Sequence, residues 1–176
     1  MISVQSLSLP PVNRGEILRY AGAKEESPEL AALLDDALAE GLPLVAGKVC
    51  WKAIPLSRQG EFPDLGFGAI PSDALCRNLA GCTHIVIFAA TIGLGIDRLI
   101  ARYGRLSPAR ALLFQAIGAE RIEALCDIFC GQIRTEAIKS GLHPAPRFSP
   151  GYGDFPLDAQ RIFFASWTVP EKSDLP

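Results

Sequence analysis

The sequence reads as an α+β protein, with a mainly antiparallel, twisted sheet and helices, including one long helix, against one face. Three observations predict this. Apolar runs at 46–56, 65–70 and 83–90 have strand length and composition, rich in Val, Ile, Phe and Trp. Several segments repeat apolar residues at helical spacing behind a recognisable cap. The strand–turn–helix at 83–103 is followed by another helix, where a parallel, doubly wound sheet would need a strand.

At 176 residues the chain is expected to form one domain, 1–176, with enough apolar sequence to bury a core. A formal charge of -2 with both signs interspersed gives neither a basic stripe for nucleic acid nor a polybasic segment for anionic lipid. Small molecules or protein surfaces are the expected partners. Five scattered cysteines (Cys50, Cys76, Cys82, Cys126, Cys130) and a start, Met-Ile-Ser-Val-Gln-Ser, that lacks a basic n-region and apolar run point to a reducing, cytoplasmic setting. The longest apolar run, Ile85 to Ile96, is broken by Thr91, Gly93 and Gly95 and is too short to span a bilayer.

In chain order, residues 2–9 alternate weakly and suit an edge strand that Pro10-Pro11 stops. Asn13 looks like an N-cap with Glu16 in capping-box position, opening a short helix that ends near Gly22. Ser27-Pro28-Glu29 repeats the signal, and Leu30, Leu33, Leu34, Ala37 and Leu38 carry a second helix to Gly41. Runs 46–56 and 65–70, separated by the turn residues Ser57-Arg58-Gln59-Gly60, are expected to be adjacent strands. Ser72 caps a helix that Gly81 follows, and Thr83 to Ala90 suits a central strand because apolar residues occupy both faces. The glycines of Gly93-x-Gly95 invite comparison with nucleotide-binding turns. The third glycine and the acidic ribose contact are absent, so a turn that needs small residues for packing is favoured.

Ser107-Pro108 opens the longest helical pattern, closed by Gly141 and spanning roughly 50 Å at 1.5 Å per residue unless Gly118 bends it. Glu123 sits among apolar neighbours, pointing either into a cavity or to solvent at the helix edge. Cys126 and Cys130, one turn apart, read as core thiols rather than metal ligands, because no other His or Cys pair has ligand spacing. His84 and His143 read as structural. A final helix from Pro156 to about Ala165 would turn Leu157, Ile162 and Phe163 inward, and Trp167 to Pro176 is a short, proline-bounded end.

Between these last two helices lies His143 to Pro156, with four prolines and Gly151 and Gly153. Proline fixes φ and restricts the residue before it, so such a loop is stiff. A stiff loop presenting Arg147 and Tyr152 suits a small anionic ligand, since a guanidinium fork pairs with a carboxylate and a ring face meets a cation. The alternative is a tight connection in which Arg147 caps a helix carboxyl end. No dyad or triad for acid–base or nucleophilic catalysis stands out.

Arg147-Phe-Ser-Pro-Gly-Tyr-Gly-Asp-Phe-Pro followed by Leu-Asp-Ala-Gln resembles the signature of the activation domain of vitamin B12-dependent methionine synthase. Asn13-Arg-x-Glu-x-Leu-Arg-Tyr-x-Gly, Ala90-Thr-x-Gly-x-Gly-x-Asp97 with Tyr103 after it, and the long acidic helix from 108 to 140 resemble the stand-alone form of that domain. The resemblance implies S-adenosylmethionine bound through Arg147, the backbone of Ser149, Gly151 and Tyr152, with a helix glutamate of the family falling on Glu123. It further implies a part in reductive methylation, where the cobalamin is carried by a separate corrinoid-binding methionine synthase and one electron comes from a flavodoxin-like or ferredoxin-like donor. The chain would then be a component of a methyltransferase activity in methionine biosynthesis, contributing positioning rather than proton transfer. Family members usually continue past the helix after the motif into a further strand, so a form shortened at the C-terminus is expected, with the pocket open on one side. The aspartate–tryptophan element of the fused versions is absent too. Two rivals remain: a docking adaptor for a corrinoid protein that has lost the ligand, and, less favoured, a methyltransferase acting on another small substrate.

Overall fold

A computed structural model describes residues 2–57 and 60–166. Arg58 and Gln59, and the stretch from Trp167 to Pro176 on which the expected shortening turns, lie outside the described residues. Among the described residues the architecture is α+β: three antiparallel strands and six α-helices, one of them long. The strands are β1 (Ser3–Ser6), β2 (Lys48–Pro55) and β3 (His84–Thr91), in the order β1-β2-β3. Antiparallel pairing of β2 with β3 is fixed from both ends: Ala46 N–H donates to the Ile92 carbonyl, and ten residues on Leu56 N–H donates to the Thr83 carbonyl. The helices are α1 (Arg14–Tyr20), α2 (Pro28–Gly41), α3 (Asp73–Asn78), α4 (Gly95–Leu106), α5 (Pro108–Lys139) and α6 (Ala159–Ser166).

Most local signals act as expected. Ser27 Oγ accepts the Leu30 N–H behind Pro28 at the start of α2. Gly22 and Gly141, both at positive φ, close α1 and α5 in paired 6→1 and 5→2 bonds, Ala23 to Leu18 and Gly22 to Arg19, then Leu142 to Ala137 and Gly141 to Ile138. α5 runs 32 residues without a break at Gly118. A side chain there would meet Ile96 Cγ2 at 3.1 Å, so packing explains the glycine. In the turn at 93–95, packing explains Gly95, where a Cβ would sit 2.5 Å from Leu44 Cβ, while Gly93 takes a positive φ of +82.

Four expectations are corrected. Residues 65–70 are not a strand: the Asp64 carboxylate accepts the N–H groups of Gly66 (2.7 Å) and Gly68 (3.0 Å), both at positive φ, leaving only isolated bridges at Ser57–Asp64 and Asp64–Ala69. β2, not β3, is the middle strand, and β3 is half-buried rather than buried, with His84 exposed. The capping box of α1 is half made. Asn13 Oδ1 accepts the Glu16 N–H (3.2 Å), but Glu16 turns to Arg19 and the Asn13 N–H donates to Glu120 instead (3.1 Å). Finally, α6 starts at Ala159 after turns at Leu157 and Asp158, which leaves Leu157 62 % and Ile162 52 % exposed rather than inward.

The chain divides into two compact units. One holds the described residues among Met1–Ser3, Trp51–Phe88 and Arg134–Pro176; the other holds Val4–Cys50 and Ala89–Ile133. The core of the first is Leu65, Ile70, Leu75, Leu79, Phe155 and Ala159, with Phe67 and Phe148 packed against it. The second buries Ile17, Leu34, Val49, Phe114, Ile117 and Leu125. Each cluster is large enough to hold its loops in place, since every buried aliphatic or aromatic side chain contributes about 1.5–3 kcal/mol.

Candidate functional site

The proline-rich loop belongs to the first unit. Ser149, Pro150, Gly151 and Tyr152 form a β-turn closed by Tyr152 N–H on the Ser149 carbonyl (3.0 Å). Proline in the second position and Gly151 at φ +95 in the third give it type II character. Gly151 N–H donates to the Phe155 carbonyl (2.8 Å) and Phe155 N–H to the Tyr152 carbonyl (3.0 Å), so a second turn locks onto the first. Phe148 stacks on Phe155 at 6.0 Å, and Tyr152 meets the Phe148 edge at 5.8 Å. Phe155 is buried in the unit core. The residues flanking Phe148, Arg147 and Ser149, are therefore held by a packed aromatic side chain, and Arg147 itself is half-buried.

The structure thus brings Arg147, Ser149, Gly151 and Tyr152 together on one rigid loop. Gly151 and Tyr152 spend their N–H groups inside it. At the surface of the loop lie Gly151, which has no side chain, and a Tyr152 ring that is 49 % exposed, while Arg147 and Ser149 are half-buried.

Glu123 lies in the second unit, half-buried on α5, where it lines an open cleft of about 750 Å³ with Pro11, Asn13, Tyr20, Glu120 and Asp127. Both the cavity and the edge alternatives described it in part. One wall is built on a buried ion pair. Arg121 donates from Nε and Nη2 to both oxygens of Glu120 (2.5 Å each), with side chains 4 % and 6 % exposed. Adjacent helix residues ordinarily point about 100° apart, so this pairing bends both side chains toward the N-terminal segment. There Arg121 Nη1 donates to the Pro10 carbonyl (2.7 Å) and Glu120 Oε1 accepts the Asn13 N–H (3.1 Å). An aromatic ring among carboxylates suits a cationic group such as an ammonium or sulfonium. At the cleft edge the Arg19 guanidinium holds the Glu16 carboxyl below its usual range.

Sequence reasoning missed Asp154 and Asn78 as determinants of the loop. Asp154 accepts from Ser72 Oγ (2.5 Å), Asp73 N–H (2.7 Å) and Ala74 N–H (3.0 Å). Asn78 Nδ2 donates to the Pro146 carbonyl (3.1 Å). The Ser72 cap was visible in the sequence; its partner 82 residues on was not. Among the described residues no group of three or more His, Cys, Asp or Glu side chains is placed to hold a metal, and no helix is long and apolar enough to cross a membrane.

No family model matches the chain, and no curated protein matches it in sequence. Among solved structures, its fold is similar to that of the MetH reactivation domain in a crystal structure bound to AdoHcy. The TM-score is 0.60 at 14 % identity, over 93 % of this chain and 68 % of that one.

Proposed function

We propose that this chain binds S-adenosylmethionine and supports reactivation of a separate cobalamin-dependent methionine synthase. The observation that carries the reading is the locked turn at Ser149–Tyr152, two residues after Arg147, on a fold similar to a domain that holds AdoHcy. The donor set fits the ligand. Arg147 would pair with its α-carboxylate and the Ser149 carbonyl would accept from a ligand N–H. Gly151 leaves room for close approach, and the Tyr152 ring face would meet the adenine or sulfonium. The bound ligand supplies a sulfonium methyl group. This chain contributes orientation, with no residue moving a proton, and the corrinoid and an electron from a flavodoxin-like or ferredoxin-like donor come from partners.

Isothermal titration with AdoHcy on the wild type and Arg147→Ala tests this. Binding that is lost or much weakened in the variant is expected, and no heat in either protein would overturn it.

A ligand-free docking adaptor is the second reading, favoured by the exposure of Leu157, Ile162 and Phe164 (57 %) on the unit that carries the loop. Capture of a corrinoid-binding methionine synthase, unchanged by AdoHcy and reduced by Ile162→Asp, would select it.

A further inference from the structure

The loop that carries Arg147 is tied at two points to a single helix. At one end Asn78, the last residue of α3, donates to the carbonyl of Pro146, the residue before Arg147. At the other end Asp154, two residues past Tyr152, accepts from Ser72, Asp73 and Ala74 around the first turn of α3. Beside it Gly153, at φ +56, lies so close that a side chain would meet Ala74 Cβ at 2.9 Å. Six helical residues measure about 9 Å. The chain from Pro146 to Asp154 would reach about 27 Å if extended. α3 therefore sets the span between the feet of the loop, and the turns at 149–155 fold the excess into the arch that presents Arg147 and Tyr152.

We propose that α3 is the template for this loop and that Asp154 is its positioning residue, fixing where the Arg147–Tyr152 arch stands through Ser72 and the first-turn N–H groups. Ser72 already serves the Leu75 N–H (3.0 Å) and is buried. Asp154 takes the N–H groups that Ser72 does not reach, so helix start and loop end complete each other. Shortening or releasing either foot widens the arch. The effect on ligand binding rests on the function proposed above; the attachment does not.

Limited trypsin digestion separates the two, because the Arg147–Phe148 bond lies inside the arch while the Arg134–Thr135 bond, inside α5 and in the same unit, reports unfolding of that unit. In Asp154→Ala, cleavage after Arg147 is expected to rise at least tenfold with cleavage after Arg134 unchanged. Asp154→Asn, which keeps one acceptor oxygen, is expected to fall between, and Asn78→Ala to show a smaller rise. AdoHcy affinity should fall about tenfold in Asp154→Ala and partly recover in Asp154→Asn. Cleavage after Arg147 at the wild-type rate in Asp154→Ala, or a rise matched by the Arg134 bond, overturns the proposal. Faster cleavage after Arg147 alone, in a protein whose wild type binds no AdoHcy, upholds the positioning and overturns the ligand instead.

Discussion

Replacing Arg121 by methionine should be among the most damaging single changes in the second unit. The guanidinium is 4 % exposed, neutralises Glu120 in a bidentate pair, and holds the Pro10 carbonyl at 2.7 Å. Methionine fills much of the same volume, so the loss is electrostatic rather than a cavity. Removing one partner of a buried pair costs about 3–5 kcal/mol because the other charge is stranded. At about 2–4 °C per kcal/mol for a chain of this size, the midpoint should fall by roughly 6–20 °C. The double variant Glu120→Gln with Arg121→Met strands no charge and keeps an acceptor for the Asn13 N–H, so it should lose only about 1–3 kcal/mol, mainly for the Pro10 and Pro11 carbonyls that Arg121 no longer serves. Urea denaturation followed by circular dichroism measures both. A single variant within about 1 kcal/mol of wild type, or a double variant worse than the single, would refute the reasoning.

Two further outcomes follow from the loop. Gly153→Ala should cost more than Gly141→Ala, since both carry the left-handed penalty of about 1–2 kcal/mol but only residue 153 meets a neighbour, Ala74 Cβ at 2.9 Å; thermal melts of the two variants side by side check the order. The Asp154 carboxyl is held below its usual range, first by the Ser72 hydroxyl and then by the Ala74 and Asp73 N–H groups. A group with a lowered folded pKa contributes above its unfolded value, about 3.9, and that contribution is lost as pH falls through the folded one. The Ala74 amide resonance should therefore shift as pH falls below about 4 in wild type, by clearly more than in Asp154→Asn.

Legibility in the sequence tracked how local the decisive contact is. α2 was readable end to end because its cap, its proline and its apolar period lie within fourteen residues. The stiffness of the 143–156 loop was readable for the same reason: proline and glycine act on their own backbone. Residues 65–70 misled because the Asp64 side chain competes for the N–H groups that a strand would pair, and apolar alternation does not register that competition. The apolar stretch of β3 could not reveal that β2 would take the middle of the sheet, which depends on pairing between distant segments. Leu157 and Ile162 carry the residue types of a buried face, yet the turns before Ala159 leave them exposed. Of the candidate site, the sequence showed that Arg147 and Tyr152 share one proline- and glycine-rich loop. The ties of Asp154 and Asn78 span 68 to 82 residues and leave no periodic or compositional trace. The Glu120–Arg121 clamp was hidden differently, since neighbours on a helix are expected to diverge.

In the proposed function Arg147 receives the carboxylate of an adenosyl amino acid, which the affinity of AdoHcy for wild type against Arg147→Ala under identical conditions puts to the test. A charge-assisted pair contributes about 1.5–3 kcal/mol, so the dissociation constant should be roughly 10- to 150-fold weaker in the variant. Equal affinity in the two proteins, or no binding by either, would contradict it.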